Sequence, residues 1–224
     1  TALEAELEAE LEARKKQYGH YLNFLLSDKF SVDGRWLTLG DIGDVKMCKR
    51  IFKEQTSSTG DVPFYKIGTF GKNPDSYIPR GLFEEYKQNF SYPKKGDVLI
   101  SAAGTIGRAV VFDGVPSYFQ DSNIVWLEHN ESLALNKYLY YYLGIIDWFI
   151  SEGGTIQRLY NENIRKTKIF VPLLSDQSRI VSILDRFEAL VNDITQGLPA
   201  ELAARRRQYE YYRDKLLTFK EKVS

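Results

Sequence analysis

The sequence predicts an α+β protein in which a strand-rich globular domain is flanked by long N- and C-terminal helices. Three observations carry this. A helix-forming segment occurs twice, once near each end. A 4-3 apolar spacing runs through the C-terminal part. Between them, short apolar runs are punctuated by Gly, Pro, Asn, Asp and Ser.

The repeat comes first in the chain. Residues 10–29 read ELEARKKQYGHYLNFLLSDK and residues 201–220 read ELAARRRQYEYYRDKLLTFK, ten of twenty positions being identical at an offset of 191. Both copies are rich in Ala, Leu, Glu, Lys and Arg, which cost little in a helix. Two copies so far apart are not a solenoid, whose period is about 20–50 residues. They are one helical docking element used on either side of a different domain. Leu3, Leu7, Leu11, Tyr18, Leu22 and Leu25 form the N-terminal apolar stripe. Ile180, Leu184, Phe187, Val191 and Ile194 step by four and three, the spacing of a coiled-coil seam. Ser175 or Asp176 is the expected N-cap of that helix, and Gly197-Leu198-Pro199 interrupts it. These stripes pack on their own domain or meet another subunit; both readings stand on spacing alone.

Between the helices, strands are expected at 62–68, 97–100, 109–112, 122–127 and 168–171, with one buried helix at 136–151. The expected domains are therefore 1–29, 30–173 and 174–224.

Composition limits the function classes. The single Cys48 permits no internal disulfide and no cysteine-based zinc site, as in a reducing compartment. No run of about 18 apolar residues occurs and the first residues are acidic, so a cytoplasmic protein without membrane attachment is expected. Charge is balanced, with 30 Lys and Arg against 30 Asp and Glu, and residues 30–175 hold 17 against 16. A free-standing nucleic-acid binder is usually basic, so any DNA contact here needs local segregation of charge or a partner that supplies phosphate contacts.

Catalytic signatures are absent from the sequence. His20 and His129 stand in no triad or metal-ligand spacing, and no metal site is expected. Ser101-Ala-Ala-Gly104-Thr105-Ile-Gly107-Arg108 lacks the Lys-Ser/Thr ending of a phosphate loop and reads as a turn between strands, Gly104 and Gly107 allowing positive φ. Ser101, Thr105 and Arg108 on that hairpin, Gln157, Arg158 and Asn161 after Gly153-Gly154, and the basic cluster Lys46, Lys49, Arg50 and Lys53 carry the groups that meet base edges and phosphates. Each alone is an ordinary solvated surface; three on loops make a recognition face.

The order of these pieces resembles the specificity (S) subunit of type I restriction–modification enzymes, as one half of that family's two-fold arrangement. The resemblance rests on Gly153-Gly-Thr-Ile-Gln-Arg-Leu-Tyr160, Ile169-Phe-Val-Pro172 through Gln177-Ser-Arg179-Ile180, Gly197-Leu-Pro199-Ala-Glu201, Arg207-Gln208-Tyr209-Glu210-Tyr211-Tyr212-Arg213-Asp214, Trp36-Leu-Thr-Leu-Gly40-Asp41-Ile42-Gly43 and Gly96-Asp-Val-Leu-Ile-Ser101. Asp176-Gln177 stands where the family has Glu-Gln, and one recognition domain is present instead of two. Residue 1 aligns with Asn192 of the second copy, so the chain resembles the C-terminal half of an S subunit, excised or naturally short; a natural half would dimerise. The resemblance implies a non-catalytic chain. Its target recognition domain would read one half of a split double-stranded DNA target. Its helices, as an antiparallel coiled-coil spacer, would hold methyltransferase subunits and through them restriction subunits, with Tyr18, Tyr21, Arg205, Tyr209, Tyr212 and Leu216 at the contact. S-adenosylmethionine and ATP would sit on those partners. A coiled-coil adaptor with no DNA role is the competing reading; a nucleotide-binding enzyme and an acidic DNA mimic fit the residues less well.

Overall fold

The computed structural model describes residues 2–31, 33–148, 158–192 and 198–217. The chain divides into two compact units, Ser31–Ser178 and a helical unit of Thr1–Phe30 with Arg179–Ser224.

In the first unit, a two-stranded ribbon pairs β1 (Gly34–Thr38) antiparallel with β9 (Lys168–Pro172), so the unit's first and last strands close on each other. Thr38 then caps the short helix α2 (Leu39–Ile42) in a capping box with Asp41. A four-stranded antiparallel sheet follows the order β2 (Asp44–Met47), β8 (Ile124–Glu128), β5 (Val98–Ser101), β6 (Ala109–Val111). Its two inner strands, Ile124-Val-Trp-Leu and Val98-Leu-Ile-Ser, are continuous buried runs because both faces are covered. A three-stranded sheet sets β3 (Val62–Tyr65) between β4 (Tyr77–Ile78) and β7 (Tyr118–Phe119). The core between them is aromatic, with Trp126, Tyr118, Phe70 and Phe83 almost wholly buried.

Helix α3 (Arg80–Asn89) was not expected. It buries Phe83, and Tyr86 lies beside Phe90 and Tyr118. Helix α4 (Asn136–Leu143) buries Tyr138, Leu139, Tyr141, Tyr142 and Leu143, as its apolar circumference predicts, but stops at Gly144 instead of residue 151. Ser122 and Asn123 are not strand: Ser122 takes φ 58° and β8 starts only at Ile124. Helix α5 (Asn161–Lys166) is a further short addition.

Helix α6 (Leu174–Asn192) begins before the expected caps, so Ser175 and Asp176 lie in its first turn. Asp176 instead accepts a hydrogen bond from the Ser31 hydroxyl. In the helical unit, α1 (Ala2–Leu25) lies beside α7 (Leu198–Leu217), with Arg206 paired to Glu8. Tyr21 stacks on Phe187 of α6 at 5.2 Å between ring centroids. The seam residues Ile180, Leu184 and Val191 are buried; Ile194 and Gly197 lie outside the described residues. Among the described residues no helix is long and apolar enough to cross a membrane.

Candidate nucleic-acid interface

The β5–β6 hairpin has the backbone its glycines predict, with φ 64° at Gly104 and 81° at Gly107. At Gly107 a Cβ would stand 2.3 Å from the Trp148 indole nitrogen, so only glycine lets the turn lie against that ring. Thr105 is exposed at the tip. Ser101 is not available to a ligand. It is 2% exposed, its hydroxyl donates to the Thr105 carbonyl, and it accepts from the Arg108 amide at 2.9 Å. Its polar group is consumed in closing the turn, which corrects its expected place on the recognition face. Arg108 is half-buried and donates from Nη1 to the Phe70 carbonyl at 2.9 Å.

The base of this hairpin joins two other segments. The Ala102 amide donates to the Asn123 carbonyl at 2.7 Å, and the Leu159 amide donates to the Ala102 carbonyl at 2.8 Å. A β-bridge between Ala103 and Arg158 continues the contact. Arg158 then reaches across and donates from Nη2 to the Ser122 carbonyl at 2.7 Å, while Arg50 donates from Nε to Asp121 at 2.9 Å. The turn at 121–123, with its left-handed Ser122, is therefore clasped by an arginine on each side.

These contacts build one wall of a polar hollow of about 480 Å³. Arg50, Lys53, Lys66 and Arg158 line it against the single carboxylate of Asp121; Gln120, Ser122 and Asn123 add hydrogen-bonding groups, and Phe52 and Phe64 add apolar faces. Phe52 is 57% exposed on the rim. The Lys66 ammonium is shared with Asp75 at 2.9 Å. A cationic concavity with fixed hydrogen-bonding groups and an exposed ring can hold phosphate oxygens, base edges or both.

Not every expected residue gathers here. Lys46 lies on β2 between Asp44 and Glu128, 3.8 and 3.9 Å from their carboxylates, and lines no part of the hollow. Its alternation Asp44-Val45-Lys46-Met47 is that of an edge strand, not of a basic loop. Lys49 projects over the Phe90 ring, 5.0 Å from its centroid. Asn161 opens α5 and is half-buried. Gln157 lies outside the described residues. Sequence reasoning missed Phe52, Lys66 and the Gln120–Asn123 segment as part of a site; its only signal was four consecutive polar residues between two apolar strands.

The buried titratable groups Cys48, His129 and Asp97 are not among the residues that line the hollow. Burial pushes the Cys48 thiol up to about 12. Burial also lowers His129 from its ordinary value and raises Asp97. Among the described residues no three His, Cys, Asp or Glu are grouped so as to hold a metal.

A family profile described as the type I restriction modification DNA specificity domain matches residues 35–204. The chain belongs to this family. A putative type I restriction enzyme specificity subunit of Haemophilus influenzae is 61% identical over 207 residues, covering 92% of this chain and 53% of that protein. The EcoR124I/EcoR124II specificity subunit of Escherichia coli is 35% identical over 238 residues, covering 98% and 56%. The chain thus spans about half the length of these curated relatives. Among solved structures, the HsdS subunit of Thermoanaerobacter tengcongensis shares the fold with a TM-score of 0.58 at 19% identity, over 90% of this chain and 50% of that one. A type I R-M system structure gives 0.61 at 20% identity, over 96% and 56%. The specificity-domain match runs from β1 into α7, so both units belong to the family's sequence.

The helical residues expected to meet partners are mostly exposed. Tyr21, Tyr209 and Tyr212 are exposed, as is Arg205, whereas Tyr18 is half-buried. Leu216 lies on α7, its side chain outside the described residues.

Proposed function

We propose that the Ser31–Ser178 unit is a target recognition domain that reads one half of a bipartite double-stranded DNA target, and that the helices dock methyltransferase subunits and, through them, restriction subunits. The convergence of Arg50, Lys53, Lys66 and Arg158 on one braced hollow carries this reading. Thr105 and Arg108 on the hairpin and Asn161 at the start of α5 extend the contact, and Gln157 is assigned to it on sequence alone. The chain is non-catalytic; S-adenosylmethionine and ATP reside on the partners, and the assembly works in the cytoplasm. Two copies restore a two-fold arrangement through the helices, where Tyr21, Tyr209 and Tyr212 offer exposed rings.

The test is co-purification with a type I methyltransferase subunit followed by mapping of adenine methylation on random DNA. A symmetric interrupted motif supports the dimeric half-subunit. An asymmetric motif keeps the recognition role but refutes the homodimer. Methylation without sequence restriction, or no complex, refutes the reading. Within it, Arg158→Ala weakens half-site discrimination by about 1–3 kcal/mol.

A further inference from the structure

The Ser31–Ser178 unit carries a second cationic surface that is separate from the hollow. Lys87 lies in the last turn of α3, with Nζ 5.5 Å from the Phe83 centroid and 5.4 Å from that of Tyr92. Lys94 and Lys95 stand on a pinned turn. The Lys94 amide donates to Asp97 Oδ2 at 2.7 Å, the Asp97 amide returns a bond to the Lys94 carbonyl at 3.0 Å, and Gly96 takes φ 97°. Gly114 leaves room for the Lys95 stem, since a Cβ there would come within 3.1 Å of it. Lys49 reaches the same region over Phe90. Lys87, Lys94 and Lys95 line a shallow depression of about 550 Å³ with Phe90, Tyr92 and Phe112.

Carboxylates border this surface, Glu84 and Glu85 beside Lys87 on α3 and Asp97 within the Lys94 turn, but none of them pairs with its lysines. Glu128, which also lines the depression, faces Lys46 at 3.9 Å. Asp75, Asp121 and Glu162 pair with Lys66, Arg50 and Lys166 elsewhere. Among the described residues none of Lys49, Lys87, Lys94 and Lys95 has a carboxylate within ion-pair distance. The depression is lined by no Arg, Asn or Gln, and the lysine ammonium is a compact point charge suited to phosphate. The surface also continues the hollow along the chain, because Lys49 and Arg50 are adjacent and serve one region each.

We propose that Lys49, Lys87, Lys94 and Lys95 form a shelf that contacts the phosphates of duplex DNA flanking the read sequence. This rests on the DNA-reading role given above. The shelf supplies affinity without sequence information.

The experiment uses the full chain and measures affinity by fluorescence anisotropy across a series of salt concentrations. The probes are one duplex carrying the motif found by methylation mapping and one lacking it. In the triple variant Lys87→Gln, Lys94→Gln, Lys95→Gln, the slope of log K against log salt becomes shallower by about 2–3, since each phosphate contact contributes about 0.9. Affinity falls by the same factor for both duplexes, so their ratio is unchanged. The matching Lys→Arg triple retains the wild-type slope, which separates charge from folding. An unchanged slope in the Gln variant overturns the shelf while leaving the reading role intact. A loss confined to the motif duplex overturns it too, by making these lysines base readers. Unchanged DNA binding with loss of the co-purifying methyltransferase subunit assigns the surface to an acidic protein face instead. A wild-type chain without motif preference, but whose slope still falls in the Gln variant, supports the shelf and refutes the reading role.

Discussion

Gln177 is the residue whose loss the structure predicts most sharply. It is fully buried in the first turns of α6. Its Oε1 accepts from the Leu135 amide at 2.8 Å, and its Nε2 donates to the carbonyls of Leu133 and Pro172, both at 2.8 Å. One side chain thereby ties the start of α6 to the end of β9 and to the loop before α4. Gln177→Leu keeps the bulk and strands three backbone groups. A buried polar group without a partner costs about 1–3 kcal/mol. With the amide charged in full and each carbonyl, which has a second lone pair, at about half, the loss is roughly 2–6 kcal/mol. A domain of this size has about 5–15 kcal/mol in total. Urea unfolding followed by tryptophan fluorescence measures it cleanly, because all three tryptophans, Trp36, Trp126 and Trp148, lie in the Ser31–Ser178 unit. Gln177→Glu should be at least as damaging at neutral pH, since a carboxylate cannot donate to the two carbonyls. A loss below about 1 kcal/mol for Gln177→Leu would refute the claim that these three bonds anchor the unit.

Gly107→Ala forces a side chain into a left-handed backbone and against Trp148, and should cost about 1–3 kcal/mol with a shift in tryptophan emission; Gly81→Ala, on an exposed site with open space near the start of α3, should change stability by less than about 0.5 kcal/mol, and equal effects would contradict the geometry. Cys48 should resist iodoacetamide in the folded chain at pH 8 and react on unfolding, because burial holds its thiol at about 12. The folded state here disfavours the thiolate, so the stability this group contributes is complete below the unfolded thiol's ordinary value near 9.0 and declines as pH rises from there towards 12. Unfolding midpoints of wild type should therefore fall more steeply between pH 8 and 10 than those of Cys48→Ala, and parallel curves would contradict this.

The parts of the fold that sequence made legible are those with local causes. Val98-Leu-Ile and Ile124-Val-Trp-Leu read as strands because central strands are apolar on both faces. Gly104 and Gly107 announced the hairpin turn. Helix α3 was hidden by Pro79 and Gly81, which read as loop punctuation, although Phe83, Tyr86 and Phe90 hold helical spacing. Helix α4 was drawn too long because Ile145 and Ile146 prolong the apolar run beyond Gly144. Local patterns placed Arg50 and Arg158 on loops of one recognition face but gave no reason for the two to brace the same turn. That reason is Asp121 and the carbonyl of Ser122, which become partners only after β8 and the β5–β6 hairpin have folded. Ser101 was misplaced for the opposite reason: a hydroxyl on a turn looks available until the turn's own amide claims it.

The bracing of the hollow has a consequence for how its preferences can change. Its walls come from four stretches of chain, around residues 50–56, 64–66, 120–123 and 158, and they are cross-tied by Arg50 to Asp121 and by Arg158 to Ser122. A graft of any one stretch into another scaffold would import a lever without its fulcrum. Transplanting a new preference therefore means exchanging residues 31–178 as a single cartridge. The near-duplicate stretches 10–29 and 201–220 provide matching joints upstream and downstream at which such a cartridge can be cut and rejoined.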